Sequence, residues 1–148
     1  MKNEFLITIN TLQIVEGEKE ELEITTTASL EGDSDNYVIK YTEVDQEDKE
    51  SHTTIKVEKG RCISVSREGE ITTHMTIEKS VRHISHHVTP YGTFSLGVSA
   101  AVIDSAIDEN GGTLHFRYTT DIEMNVVSEI DFNITLSKRE DNKNVYYS

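Results

Sequence analysis

Apolar and polar residues alternate with a period of two along most of the chain, and many of the apolar positions hold β-branched residues. Phe5, Ile7 and Ile9 share one face of the first such segment. The last segment, "SEIDFNITL", aligns Ile130 and Ile134 in the same way. Alternation over four to eight residues is typical of a strand with one buried face. The pattern therefore predicts an all-β protein of about eight to ten strands.

The predicted strands are joined mainly by short turns. Residues 53–85 divide into four short strands at Lys59-Gly60, Glu68-Gly69 and Lys79-Ser80, each of which suits a tight turn. Further along, Asn110-Gly111-Gly112 is expected to close a long hairpin, because glycine supplies the positive φ that a primed turn needs. Turns this short join antiparallel neighbours, so a meander is expected.

One segment, "SAAVIDSAIDEN", permits two interpretations. Its alanines, with Ser99 as a cap, would allow a short helix. We favour a strand, because a strong hairpin signal follows it. Ile103 and Ile107 are out of phase with Val98, so a β-bulge near Ala100–Ala101 is needed to keep one apolar face.

The expected architecture is one up-and-down antiparallel barrel. Closure removes the exposed strand edges that would otherwise make so β-rich a chain aggregate. A two-sheet sandwich is the alternative. A length of 148 residues fits one domain, and we expect the barrel in residues 1–137 and a polar tail in residues 138–148.

Charge and cysteine content restrict the classes of partner. The chain has 27 acidic and 14 basic residues, a formal net charge of −13. This charge repels phosphate backbones and anionic lipids, so we expect no nucleic-acid and no membrane partner. One cysteine, Cys62, excludes an intramolecular disulfide, and the first apolar run is too short for a signal peptide. These features predict a soluble cytoplasmic protein.

The segments "YVIKYTE", "TTIKV", "SREGE", "MTIEK", "TPYGTFSLGV" and "GTLHFRYTTDI" occur in an order that resembles an uncharacterised bacterial β-barrel family, typified by the Bacillus protein YwiB. The resemblance runs from the first strand to the last and leaves out the tail. It implies a calycin-like barrel of the lipocalin type in a cytoplasmic bacterial protein, and a domain of unknown function. His87 stands where the family pattern prefers an aromatic residue, which argues against a histidine-based function across the family.

The strongest candidate site lies on the face that the apolar residues mark as inward. Alternation places a carboxylate, a guanidinium and two phenols there: Glu43, Arg67, Tyr41 and Tyr118, joined by His86 from another strand. A buried unpaired charge is costly, so Glu43 and Arg67 are expected to pair. The functional interpretation is a ligand cavity in which Arg67 holds an anionic or carbonyl group. The alternative is an ion pair, buried or at the rim, with no ligand.

The histidines of "RHISHHVTPYGTF" do not form a metal site within one strand. His83 and His87 lie about 13 Å apart on one face, and His86 points the opposite way. With His74 of the preceding strand, His83 and His87 would form an outward patch. This patch is a weak metal candidate, because no supporting carboxylates are evident nearby. We expect no metal and no cofactor.

The orientation of these histidines depends on the turn at Lys79-Ser80. A two-residue turn there pairs His74 with Ser85. One face is then expected to point to the core, and it comprises Met75, Ile77, Arg82, Ile84, His86 and Val88. Pro90 and Gly92 in "VTPYG" suit a type I turn, so residues 82–94 are interpreted as strand, turn and strand.

Three functions remain, in order of preference. The first is a barrel that binds a small hydrophobic or anionic ligand through Tyr41, Glu43, Arg67 and Tyr118. The second is a structural or protein-interaction module with a filled barrel, which an exposed apolar patch or a homodimer would favour. An enzyme with Glu43 as acid or base ranks last, because no nucleophile elbow and no phosphate-binding loop occurs.

Overall fold

The structure, a computed structural model, describes residues 5–139. Ten antiparallel strands form a closed barrel in which each strand pairs with its neighbours in sequence and the last pairs with the first. They are β1 (Phe5–Val15), β2 (Glu18–Gly32), β3 (Asn36–Val44), β4 (Glu50–Glu58), β5 (Cys62–Glu68), β6 (Thr72–Glu78), β7 (Arg82–Thr89), β8 (Gly92–Asp108), β9 (Gly111–Ile122) and β10 (Asn125–Lys138). The predicted all-β, up-and-down barrel is confirmed, and the sandwich is excluded.

The segment with two possible interpretations, "SAAVIDSAIDEN", is a strand in the structure. Residues 92–108 form one strand, β8, and its pairing with β9 shifts between Ala100 and Val102. The favoured strand and its predicted bulge are therefore confirmed, and the helix is not formed. From residue 140 onward, the predicted polar tail lies outside the described residues. Within residues 5–139, no helix is long and apolar enough to cross a membrane.

Most of the predicted turns form, but the β8–β9 turn differs. Asp108 pairs with Gly111, so Glu109 and Asn110 make the turn. Gly111 and Gly112 lie inside β9. A Cβ at Gly112 would stand 2.0 Å from the carbonyl oxygen of Ala106, so this glycine is required by the close approach of the neighbouring strand and not by the turn.

Because neighbouring strands run in opposite directions, the connections divide between the two ends of the barrel. One end, which we call the mouth, carries the turns β1–β2, β3–β4, β5–β6, β7–β8 and β9–β10. The other end, the base, carries the remaining turns and the pair formed by Phe5 with Lys138.

The base is filled by apolar side chains from the inward positions of nearly every strand. The largest side chains with less than 2% exposure are Tyr37, Phe116, Ile7, Ile39, Ile55, Ile63, Ile77, Leu114, Ile134, Val57, Val98 and Ser85. Phe116 stacks on Phe132 with 4.9 Å between ring centroids, and on Tyr118 with 6.0 Å. The aromatic stack extends from the packed base toward the mouth, where the packing becomes looser.

The ladders between strands differ in length. The β6–β7 ladder is the shortest: it pairs Thr72, Thr73 and His74 with Val88, His87 and His86. One isolated bridge, between Glu78 and Val81, closes the turn at its far end. The middle of β6 and β7 is therefore not joined by regular pairing.

Replacing Phe116 with alanine should destabilise the protein by about 3–5 kcal/mol, because it removes a buried ring and leaves a cavity in the base. Urea unfolding of the full chain measures this free energy. The control is Ile84→Ala, since Ile84 is 53% exposed and its replacement should cost less than about 0.5 kcal/mol. Equal costs for the two variants would contradict the assignment of the core.

Candidate functional site

The mouth half of the barrel contains an internal cavity of about 320 Å³. Nine of the ten strands contribute to its wall, and β2 is the exception. The lining residues are Thr11, Gln13, Tyr41, Thr53, Val65, Arg67, Thr73, Met75, His87, Leu96, Tyr118, Thr120, Ser128, Ile130 and Phe132. Apolar side chains from the aromatic stack form the floor, and hydroxyl, imidazole and guanidinium groups form much of the wall.

The polar wall residues follow a continuous cross-strand row. Tyr41 pairs with Thr53, Thr53 with Arg67, Arg67 with Thr73, and Thr73 with His87. We call these five residues the polar row. Directly opposed residues in an antiparallel sheet have Cβ atoms about 4.5–5.5 Å apart, so the row presents its polar groups side by side.

Three of the predicted site residues, Tyr41, Arg67 and Tyr118, line this cavity. Glu43 lies beside it, with its Oε2 atom 3.9 Å from a terminal nitrogen of Arg67. This separation exceeds hydrogen-bond distance. The side chain of Arg67 is 47% exposed and that of Glu43 is 17% exposed, so the two form a loose pair at the rim.

The prediction that His86 faces inward is wrong. His74 pairs with His86 and not with Ser85. The turn at Lys79-Ser80 forms as expected, but four residues (82–85) lie between Val81 and His86 on β7, whereas three (75–77) lie between His74 and Glu78 on β6. This one extra residue exchanges the faces of β7 beyond the turn.

Because β7 presents the opposite face to the core, the predicted orientations of several other residues are also wrong. Ile84 and Val88 are exposed on the outside, and His86 bonds there to Ser95 with 3.1 Å between Nδ1 and Oγ. Arg82 also lies outside the core. His87 takes the inward place expected for His86.

The predicted histidine patch does not exist as a group. His74 lies outside, 2.8 Å from the Oγ of Ser66. His83 contacts Glu78, with 2.9 Å between Nε2 and Oε1, and His87 is inside. Between residues 5 and 139, no three histidine, cysteine or acidic side chains are placed to hold a metal ion.

His87 is held by two hydroxyl groups. The Oγ of Ser85, which is 1% exposed, donates to the carbonyl of His74 at 3.1 Å. Its one proton is thereby used, so the Nε2–H of His87 donates to Ser85 Oγ at 3.1 Å. Nδ1 then accepts from Thr73 Oγ1 at 3.4 Å. The network assigns the Nε2–H tautomer, and burial lowers the pKa of His87 below its usual 6.5, with a smaller effect from His86.

The two tyrosines of the cavity remain protonated at neutral pH. Burial raises the pKa of Tyr118 to about 12. Burial, reinforced by the charge of Glu43, raises the pKa of Tyr41 to about 12. Both phenols are therefore neutral groups that can donate or accept a hydrogen bond.

Thr53 brings an unused hydroxyl to the wall of the cavity. The residue is 4% exposed, and among residues 5–139 its Oγ1 has no hydrogen-bond partner at good geometry. It does lie near enough to the Tyr41 hydroxyl to lower the pKa of that phenol slightly. Buried polar groups usually have partners, because leaving one unpaired costs about 1–3 kcal/mol. A bound molecule can supply the missing partner.

An ion pair that sequence reasoning missed joins β7 to β9. Arg82 donates from Nε to Oδ2 of Asp121 at 3.0 Å and from a terminal nitrogen to Oδ1 at 2.6 Å. The pair crosses β8 over Gly97, where a Cβ would stand 2.4 Å from the guanidinium and 2.5 Å from the carboxylate. A larger residue at position 97 would have to displace this ion pair.

A second outer cluster was also missed, and it lies on β9 and β10. Asp131 accepts from His115 Nε2 at 3.0 Å and from a terminal nitrogen of Arg117 at 2.9 Å. Asn133 donates to the same carboxylate at 2.9 Å. Alternation alone could have indicated that these residues share the outer face, since their sequence positions are all odd.

Comparisons with known proteins agree with the fold. A family model described as "Domain of unknown function (DUF1934)" matches residues 7–134. Among solved structures, the ywiB protein from Bacillus subtilis is similar, with a TM-score of 0.79 and 19% sequence identity over 92% of each chain. At this identity the likeness shows the fold alone. No curated protein matches this sequence. The resemblance predicted from the sequence is confirmed.

His87 should titrate with a pKa below 6.5 and should carry its neutral proton on Nε2. Burial disfavours the imidazolium, and the Ser85 network fixes the tautomer. Nitrogen-detected NMR of the imidazole measures both properties in one pH series. Ser85→Ala, which removes the acceptor of the Nε2 proton, should weaken the tautomer preference. A midpoint above 6.5 in the unmodified chain would contradict this placement of His87.

Arg82→Met should reduce stability at neutral pH but have little effect in acid. The hydrogen bonds from Arg82 are the main reason that the pKa of Asp121 lies below its usual 3.8, and burial opposes them. A carboxyl with a lowered pKa contributes stability above its unfolded value, about 3.9, and loses it as the pH falls through its folded value. The stability difference from the unmodified chain should therefore hold from pH 7 to 5 and shrink below pH 4.

Urea unfolding at several pH values measures this difference. Arg61→Met is the control, since Arg61 lies in the β4–β5 turn, away from Asp121. A difference for Arg82→Met that stays constant down to pH 2 would show that the ion pair does not set the pKa of Asp121.

Proposed function

The chain belongs to the family described as a domain of unknown function, DUF1934, and from the geometry of its cavity we propose that it binds a small molecule inside the barrel. The observation that carries this proposal is the unfilled space of about 320 Å³ bordered by the polar row. Ligand cavities commonly measure about 300–1,000 Å³ and combine an apolar wall with a few placed polar groups. A barrel filled by its own side chains would leave no such space.

The ligand class follows from the residues around the cavity. Met75, Leu96 and Phe132 offer an apolar surface to the body of a ligand. Arg67 offers donors to a carboxylate or another anionic group, because its nearest carboxylate, Glu43, lies 3.9 Å away. The ligand we propose is therefore compact, largely apolar, and carries one anionic or carbonyl group.

Thr53 and Tyr41, two other members of the polar row, support placing the anionic or carbonyl group of the ligand beside Arg67. The Thr53 hydroxyl lies in the same row as Arg67 and is its direct cross-strand partner. One ligand group can therefore contact the guanidinium and accept from or donate to this hydroxyl. Satisfying a buried hydroxyl in this way adds to affinity, because the cost of leaving it unpaired has already been met in the empty protein.

The proposal places this binding in the cytoplasm of a bacterium. Its support is the single cysteine, Cys62, which excludes the intramolecular disulfides typical of small secreted domains. The family is described as a domain of unknown function, with no ligand assigned. The support for binding is therefore the cavity alone.

Arg67→Leu should weaken the binding of 1-anilinonaphthalene-8-sulfonate about ten-fold. This probe combines an aromatic body with an anionic group, and losing one charge-assisted hydrogen bond costs about 1.5–3 kcal/mol. Fluorescence titration of the full chain measures the dissociation constant. Arg117→Leu is the matched control, because Arg117 is similarly exposed (48%) but lies on the outer face.

Native mass spectrometry of gently purified chain extends the same test to a natural ligand. A reproducible organic adduct that is lost in Arg67→Leu and kept in Arg117→Leu is the expected result. Equal probe affinities for both variants, together with a chain that carries no adduct, would refute ligand binding at Arg67.

A further inference from the structure

Two neighbouring turns of the mouth carry a group of exposed large apolar side chains, although Leu22 and Val44 are also exposed elsewhere on the mouth. In the β7–β8 turn, Tyr91 is 94% exposed, and Phe94 follows it on β8. In the β9–β10 turn, Met124 is 72% exposed and lies between Ile122 and Val126, which are also exposed. We call these five residues the apolar arc.

The two turns of the apolar arc are adjacent. β8 lies between β7 and β9 in the barrel. Gly97 of β8 and Asp121 of β9 form the pair of this ladder nearest the mouth, so the two turns leave the barrel side by side. Exposed large apolar side chains gathered on two adjacent turns of so highly charged a protein indicate a contact site.

The opposite side of the mouth is strongly acidic. Residues 16–23, in the β1–β2 turn and the start of β2, hold five glutamates and one lysine. Residues 45–50, in the β3–β4 turn and the first position of β4, hold four acids and one lysine. These two stretches, which we call the acidic arc, thus carry −4 and −3 of the net charge of −13. Within residues 16–23 and 45–50 every side chain is exposed.

An apolar arc and an acidic arc border the same opening, and this combination restricts the kinds of molecule that can cover the mouth. In a mouth-to-mouth pair of this chain, each acidic arc would meet either another acidic arc or an apolar arc, and its charge would stay uncompensated. An anionic bilayer would be repelled by the acidic arc. A segment with lysine or arginine on one side and apolar residues on the other matches both arcs at once.

We propose that the mouth of the barrel docks a cationic amphipathic segment of a partner protein. Its apolar side lies on Tyr91, Phe94 and Met124, and its basic side lies over the acidic arc. The segment would cover the opening of the cavity. This proposal does not rest on small-molecule binding, since Tyr91, Met124 and the acidic arc lie outside the polar row. Phe94 borders that row as the cross-strand partner of His87.

The test uses a fluorescein-labelled 14-residue peptide of leucine and lysine in an amphipathic helical arrangement, and a scrambled peptide of the same composition. Fluorescence anisotropy with the full chain in 150 mM salt measures both affinities. The amphipathic peptide should bind at least ten-fold more tightly than the scrambled one. Tyr91→Ser with Met124→Ser should weaken it about ten-fold, and so should Glu20→Gln with Glu47→Gln.

Matched controls lie away from the mouth. Leu6→Ser with Ile84→Ser also removes two exposed apolar side chains, and Glu31→Gln with Glu109→Gln also removes two charges near the base. Neither control should change affinity more than about two-fold. Equal binding of the two peptides, or equal losses in variants and controls, would overturn the proposal.

Two further outcomes would assign the mouth to another occupant. One is a dimer in sedimentation velocity that dissociates in Tyr91→Ser/Met124→Ser. The other is binding to phosphatidylcholine–phosphatidylserine vesicles that the same variant abolishes. Either result would overturn docking of a cationic protein segment.

Discussion

The register between β6 and β7 is the constraint on which the cavity depends. His74 opposes His86, and the extra residue that β7 gains after its turn decides which face of the strand points inward. In this register Ser85 and His87 reach the interior, and the polar row runs unbroken from Tyr41 to His87. A register shifted by one residue would bring Ile84, His86 and Val88 inside. It would fill the same space with apolar bulk and one differently placed imidazole.

The large buried apolar side chains lie at the base of the barrel, and the inward polar side chains lie toward the mouth. The base buries large aliphatic side chains and Phe116 with almost no exposure, and such burial is the dominant favourable contribution to folding. The mouth has an unfilled interior, a loose Glu43–Arg67 pair and a hydroxyl at Thr53 without a partner in the described chain. Each of these features weakens folding. Dense packing at one end therefore allows imperfect packing at the other.

The strands were predictable because alternation is a local property of the chain. Even the bulge near Ala100 followed from the changed parity of Ile103 and Ile107. The inward positions of Tyr41, Arg67 and Tyr118 followed in the same way, since each shares a strand with several apolar residues. The place of His87 was not predictable by that means, because the polar run in β7 gives no strong preference for either face. Its orientation depends on one residue near a turn.

Contacts between strands that are not neighbours in the barrel were the second feature that the sequence could not predict. Arg82 and Asp121 are 39 residues apart and do not lie on adjacent strands, so neither periodicity nor turn geometry connects them. Gly97 was the available signal: a glycine in the interior of a strand often marks a close approach by another group. The apolar arc was missed for a related reason. Tyr91 and Met124 lie in turns, where side chains are exposed whatever their polarity, and only the order of strands brings them together.

The short β6–β7 ladder gives the barrel a preferred line of local opening. Regular pairing joins these strands through three residue pairs, whereas Arg82 ties β7 across β8 to Asp121 of β9 on its other side. A fluctuation that separates β6 from β7 breaks fewer hydrogen bonds than one at any longer ladder, and the ion pair keeps β7 with β8 and β9 while it happens. Thr73, Met75 and His87 border both this seam and the cavity. If the proposed ligand is bound inside the barrel, local opening at this seam would expose it without any change at the mouth.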